Sequence, residues 1–226
     1  MNARTKLFAV LGLSLAVLGT AAWAGDKDKD AKGAAKIGQP APAFTLKDTK
    51  GAEHNLADFA GKIVVLEWFN PDCPFCVGVY KSGIVKTTLE KLKAVDPNVV
   101  YLAINSTANK SKEDVIAGSD AFLAEQKITI PVLIDYEGTV GHAYDAKTTP
   151  HVFVIDDKGV LRYNGAFTDD NSFKKADYTN YVVNAVQQIK NGETVSPDYV
   201  KSWGCGVKYA KNNNDKNQGQ GGDKKN

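Results

Sequence analysis

The sequence predicts an α/β fold: a mixed central β-sheet flanked by helices, with an N-terminal β-hairpin. Short β-branched, apolar runs alternate with helical segments from residue 63 to residue 144, and a hairpin pattern follows at 152–163. The size agrees, since 226 residues that are 43% hydrophobic and 24% charged suffice for one domain with a real core.

The elements follow in order. Ala43 to Leu46, an Asp48-Thr49-Lys50-Gly51 turn and Glu53 to Leu56 form the first hairpin. Ile63 to Phe69 (IVVLEWF) is too short for a helix and apolar on both faces, which marks a buried central strand. A helical pattern follows Pro74 and runs from Val77 to Val95, closed by Asp96-Pro97-Asn98. Val99 to Ile104 is a second buried strand. Ser111 caps a helix reaching about Gln126, with Glu113 and Asp114 suited to its first turn. Ile130 to Ile134 is a third strand and Thr139 to Tyr144 a short helical turn. Val152 to Ile155, the Asp156–Gly159 turn and Val160 to Tyr163 make the second hairpin, and Asp177 to Lys190 is a helix stopped by Gly192. No internal repeat is present.

The ends lie outside this fold. Residues 1–24 pair Arg4 and Lys6 with an apolar run from Leu7 to Leu18 and a small-x-small Ala22-Trp23-Ala24, the pattern of a secretory signal peptide cut after Ala24. That run is shorter than the ~20 apolar residues of a membrane span. Residues 25–36 read as a charged linker, 37–209 as the folded domain, and 210–226 as a polar tail that cannot offset the entropy of ordering. The chain has 28 basic and 26 acidic residues, and losing the two basic residues of the signal leaves 26 of each. Such a balance offers nucleic acid no electrostatic footing. The destination expected from the signal is the periplasm or the exterior.

The chemistry lies in Cys73-Pro74-Phe75-Cys76, which follows the central strand and opens a helix. Thiolate is the nucleophile of thiol–disulfide exchange, and a helix N-terminus favours negative sulfur through its unpaired N–H groups and dipole. Cys73 is expected at that terminus and partly exposed. Cys76, one turn further on the same face, is placed to release a mixed disulfide. Pro74 costs no hydrogen bond in the first turn. Structural zinc would need two more ligands from His54, His142, His151 and Cys205. Haem attachment would need His where Val77 stands. An inert structural disulfide would close too small a loop to add much stability.

IVVLEWFNPDCPFC at 63–76, PVLIDYEGTVGHAYDAKTTPHVFVIDDKG at 131–159 and GCGVKY at 204–209 resemble the thioredoxin superfamily, in its redoxin (AhpC/TSA, peroxiredoxin-like) branch. The resemblance implies a thioredoxin-like fold and redox-active cysteines. It implies a cis Thr149-Pro150 peptide lying against the active cysteines and seating a partner's backbone; the alternative is an ordinary strand-start proline. It places Glu67, six residues before Cys73, where a buried carboxylate moves protons for Cys76; the alternative is an acid solvated at a sheet edge. Related sequences with the GCxVKY ending often have Cys-Pro-Phe-Val in the motif, whereas this chain has both Cys76 and Cys205. Cys205 is therefore a candidate third redox thiol or an intermolecular partner, set against an inert buried thiol.

Two departures set further expectations. Asn70 stands where a peroxidatic motif has Thr or Ser, and Asp72 stands where thioredoxins have Trp. A carboxylate beside the sulfur predicts a less acidic Cys73 than in strong oxidants. The expected function is that of an exported thiol–disulfide oxidoreductase acting on protein thiols and disulfides through Cys73 and Cys76, without metal or other cofactor. The alternatives are a thiol peroxidase resolved by Cys205 or Cys76, and a metal-binding or copper-delivery module on the same fold.

Overall fold

The structure is a computed structural model that describes residues 34–210. The signal peptide read at 1–24, most of the linker and the tail from 211 lie outside the described residues.

The first hairpin pairs β1 (Thr45–Lys47) with β2 (Glu53–Asn55), and a single 3₁₀ turn follows at Leu56–Phe59. β3 (Val64–Trp68) is buried along its whole length. Its side chains alternate across the sheet. Val64, Leu66 and Trp68 join one apolar layer with Leu102, Ile104, Tyr144 and Phe153. Val65 joins the other with Phe69, Val79, Tyr80 and Phe122. A strand buried on both faces has no use for polar alternation, which is why this segment reads as a continuous apolar run. Glu67 is the exception.

The predicted helix at 77–95 is two helices, α1 (Pro74–Lys81) and α2 (Ile84–Val95). The break falls at Ser82-Gly83, where Gly83 takes φ +80°. That left-handed conformation is open to glycine at no steric cost and cannot continue a helix. β4 (Val100–Asn105) runs parallel to β3, and α3 (Lys112–Gln126) is capped by Ser111 as expected, its hydroxyl accepting from the Asp114 N–H. β5 (Val132–Ile134) completes the parallel half of the sheet, and the short helix α4 (Thr139–Tyr144) follows it.

A two-residue strand, β6 (Thr148–Thr149), precedes β7 (His151–Ile155), which pairs antiparallel with both β3 and β8 (Leu161–Gly165). α5 (Tyr181–Lys190) begins four residues later than predicted because Asn180 caps it, accepting from Val183 N–H and donating to Thr88 Oγ1 at 2.6 Å. The chain then adds β9 (Tyr199–Val200) parallel to β8, and β10 (Cys205–Gly206) antiparallel to β6. The main sheet has six strands in the order β5-β4-β3-β7-β8-β9. No helix among the described residues is long and apolar enough to cross a membrane.

Candidate active site

The cysteine pair lies at the C-terminal end of β3, the end of an α/β sheet at which ligands gather. The connecting turn is held tightly. Phe69 N–H donates to Ile104 O at 2.8 Å, Asn70 Oδ1 accepts from Asp72 N–H at 2.9 Å, and Asn70 O accepts from Cys73 N–H at 3.0 Å. Asn70, considered from sequence only as a missing hydroxyl, is thus the residue that shapes the turn presenting Cys73. Cys73 is the N-cap of α1 and Pro74 opens the helix. Cys76 sits in the first turn, and all three cysteines are free thiols.

Cys73 is not partly exposed, as expected, but only 2% exposed. The cover comes from chain that is remote in sequence. Trp203 packs on Phe75 at 6.1 Å and on Phe173 at 5.9 Å, while β10 lies along β6 beside the sulfur. These aromatics carry no local signature in the sequence.

The electrostatics of the two sulfurs are opposed. Hydrogen bonds from Cys76, then from Cys205 and the Thr149 hydroxyl, pull the Cys73 pKa well below the ordinary thiol value against the opposing effect of burial. In the thiol form Cys73 Sγ donates to Thr149 O at 2.9 Å. That carbonyl favours the proton, while the interactions with Cys76, Cys205 and Thr149 favour the thiolate. Cys76 is driven well above the thiol value by burial, by its bond to Cys73 and by the charge of Glu67. The interactions at Cys73 act against the carboxylate of Asp72, on which the expectation of a less acidic Cys73 than in strong oxidants rests. Asp72 makes an ion pair with Lys110 at 2.6 Å, which offsets its charge beside the sulfur.

The Thr149-Pro150 peptide is cis, and Thr149 is buried with no hydrogen-bond partner for its hydroxyl. Glu67 is completely buried. Its Oε2 accepts from Tyr101 at 2.6 Å and Tyr80 at 3.0 Å, and its Oε1 has no partner. Burial raises its pKa from 4.5 to about 7, held back by the two phenols. Tyr80 and Tyr101 were not singled out from sequence. The usable signal was register: Tyr101 lies opposite Val65 on β4, one pleat from Glu67 on the same face.

The histidines weighed as metal ligands are engaged elsewhere. His54 Nε2 is 2.9 Å from Asp48 Oδ2, and His142 stacks on Tyr209 at 4.2 Å. His151 Nδ1 accepts from Lys147 N–H, and its Nε2 bonds Asn164 Oδ1 at 2.7 Å. Among the described residues no three His, Cys, Asp or Glu side chains group as a metal site.

A Cys-x-x-Cys pair opening a helix after a central strand, with a cis-proline strand beside it, places the molecule among the thioredoxin-like thiol–disulfide oxidoreductases. The chain belongs to the Redoxin family, whose model matches residues 36–182. It is similar to the thioredoxin-like protein YneN of Bacillus subtilis, with 31% identity over 62% of this chain and 78% of that one. It is also similar to the thiol-disulfide oxidoreductase ResA of Geobacillus kaustophilus, with 30% identity over 58% of this chain and 70% of that one. A peroxiredoxin of Cynops pyrrhogaster is 30% identical over 75% of this chain and 94% of its own. Among solved structures, a hypothetical protein of Sinorhizobium meliloti superposes with a TM-score of 0.68 and 26% identity, covering 79% of this chain and 97% of that one.

Proposed function

We propose that this protein is exported and exchanges disulfides with protein partners through Cys73 and Cys76. The observation that carries this reading is the geometry of the pair: Cys73 caps a helix with its sulfur 2.9 Å from Thr149 O, and Cys76 lies fully buried a turn away. Cys73 thiolate attacks a partner disulfide. One S–S bond forms between Cys73 and the partner, the partner's own S–S bond breaks, and its second sulfur leaves as thiolate and takes a proton. Cys76 then gives up its proton to the Glu67 carboxylate and attacks Cys73 Sγ. The partner leaves fully reduced, and the Cys73–Cys76 disulfide holds the oxidising equivalent. The reverse sequence oxidises a dithiol, and reduction potential sets the direction. Thr149 and Pro150 seat the partner backbone. Export rests on the signal-peptide pattern at 1–24, and an oxidising compartment is where such exchange has substrates.

Titrating the purified protein through glutathione buffers, with mass spectrometry of acid-quenched peptides, tests the reading. A Cys73–Cys76 pair that forms and breaks reversibly is expected; a pair that never forms refutes it.

A second reading, a thiol peroxidase resolved by Cys205 or Cys76, is favoured by one observation: Cys205 pairs in the strand register with Thr149, whose carbonyl oxygen is 2.9 Å from Cys73 Sγ. Turnover of hydrogen peroxide with a thiol reductant separates it from disulfide exchange.

A further inference from the structure

The C-terminal segment crosses the face that a disulfide partner has to reach. It is anchored at both ends. Trp203 Nε1 donates to Thr168 O at 2.8 Å, and Tyr209 donates its hydroxyl to Ala146 O at 2.9 Å. Tyr209 is seated where side chains are missing: a Cβ on Gly141 would come within 2.4 Å of its hydroxyl oxygen. Between the anchors, Cys205 pairs with Thr149 and Gly206 with Thr148 in antiparallel register. Val207 N–H donates to Lys147 O at 3.2 Å, and Lys208 O accepts from Ala108 N–H at 2.7 Å. Gly204 makes the close approach possible, since a Cβ there would stand 2.2 Å from Thr149 O.

The edge so occupied is the one beside the nucleophile, because Thr149 O is 2.9 Å from Cys73 Sγ. An extended partner chain adding to a free strand edge makes main-chain bonds of this kind. Here the partner's position is already filled by the protein's own chain, and the residue opposite Thr149 is a cysteine. This explains how the nucleophile comes to be 2% exposed.

We propose that Cys205 is a third exchange thiol, carried by a strand that occupies in cis the edge an external partner would use. This deepens the disulfide-exchange reading and rests on it. In the oxidised protein Cys205 thiolate attacks Cys73 Sγ. The Cys73–Cys205 bond forms, the Cys73–Cys76 bond breaks, and Cys76 takes the proton that Cys205 gave up. The number of disulfides and electrons is unchanged. The exchange is reversible, and Cys76 regenerates the original pair when the strand withdraws. In the reduced protein the same strand shields Cys73, so an external partner gains access only as residues 203–209 leave the edge.

Non-reducing peptide mapping of the glutathione titration, together with iodoacetamide labelling of reduced protein, tests this. Wild type is expected to show both Cys73–Cys76 and Cys73–Cys205 pairs, and Cys205→Ser only the former. Gly204→Val and Trp203→Ala, each checked for native circular dichroism, loosen the strand while keeping the sulfur. They are expected to speed Cys73 alkylation by about tenfold or more, since labelling follows the open population. A titration in which Cys73–Cys76 forms normally and Cys73–Cys205 never does would overturn the exchange role of Cys205 while leaving the parent reading intact. Unchanged alkylation in both loosened, folded variants would overturn the shielding. Absence of the Cys73–Cys76 pair itself strikes the parent reading instead.

Discussion

Replacing Glu67 by glutamine changes how stability depends on pH, and the size of the change can be worked out. The carboxyl titrates at 4.5 when free and at about 7 in the folded chain, chiefly because burial disfavours its charge. Between those values the folded state binds the extra proton, so the contribution of this group to stability falls as pH rises. It is fully present below about pH 4.5 and lost as pH rises through about 7. The gap from 4.5 to about 7, at roughly 1.4 kcal/mol per pH unit, amounts to about 3 kcal/mol. The glutamine side chain has no such titration. It keeps an acceptor for Tyr80 and Tyr101 but buries an amide N–H₂ where Oε1 already lacks a partner, at a pH-independent cost of about 1–3 kcal/mol. Urea unfolding of both reduced proteins from pH 4 to pH 8.5, followed by tryptophan fluorescence, gives the difference directly, and contributions from Cys73 cancel to first order. The Glu67→Gln variant is expected to start less stable and to gain about 3 kcal/mol on wild type between pH 4.5 and pH 7. A difference that stays constant across that window refutes the buried, proton-holding Glu67.

Two other substitutions read the surroundings of Cys73. Thr149→Val removes a buried hydroxyl that has no hydrogen-bond partner, so it is expected to stabilise the reduced protein by roughly 1 kcal/mol. It also removes a donor to the thiolate, so the thiolate absorbance near 240 nm is expected to titrate at higher pH. Gly78→Ala puts a Cβ 2.1 Å from the Phe173 ring; displacing that ring is expected to cost about 1–3 kcal/mol in thermal or urea unfolding and to speed labelling of Cys73.

What the sequence made legible follows from how local each signal is. The β3 segment stood out because a strand buried on both faces must be apolar throughout, and Ser111 marked its helix because a cap acts within three residues. The break at Gly83 escaped because apolar residues continue at helical spacing on either side of it. The strands β6 and β10 are two residues each, too short for periodicity, and their partners lie far apart in the chain. The same distance hid the state of the nucleophile. It is packed in one apolar cluster with Trp203 and Phe173 beside the β6–β10 pair, and the neighbour that offsets Asp72 is Lys110, thirty-eight positions away and paired at 2.6 Å. Sequence left Glu67 open between a buried and a solvated acid; its neighbours Tyr80 and Tyr101 are brought to it by the packing of α1 and the register of β4.

The division of labour between the two motif cysteines is tested most directly by trapping. Cys76→Ser protein, reduced and mixed with a disulfide-bonded polypeptide such as insulin, is quenched in acid and its intermolecular linkage is located by mass spectrometry. Because Cys73 is the acidified sulfur and the introduced serine offers no thiolate to displace the partner, the mixed disulfide is expected to accumulate through Cys73. Linkage through Cys205 with Cys73 left free, or no trapped species while insulin is reduced at the wild-type rate, contradicts Cys73 as nucleophile and Cys76 as the sulfur that releases the partner.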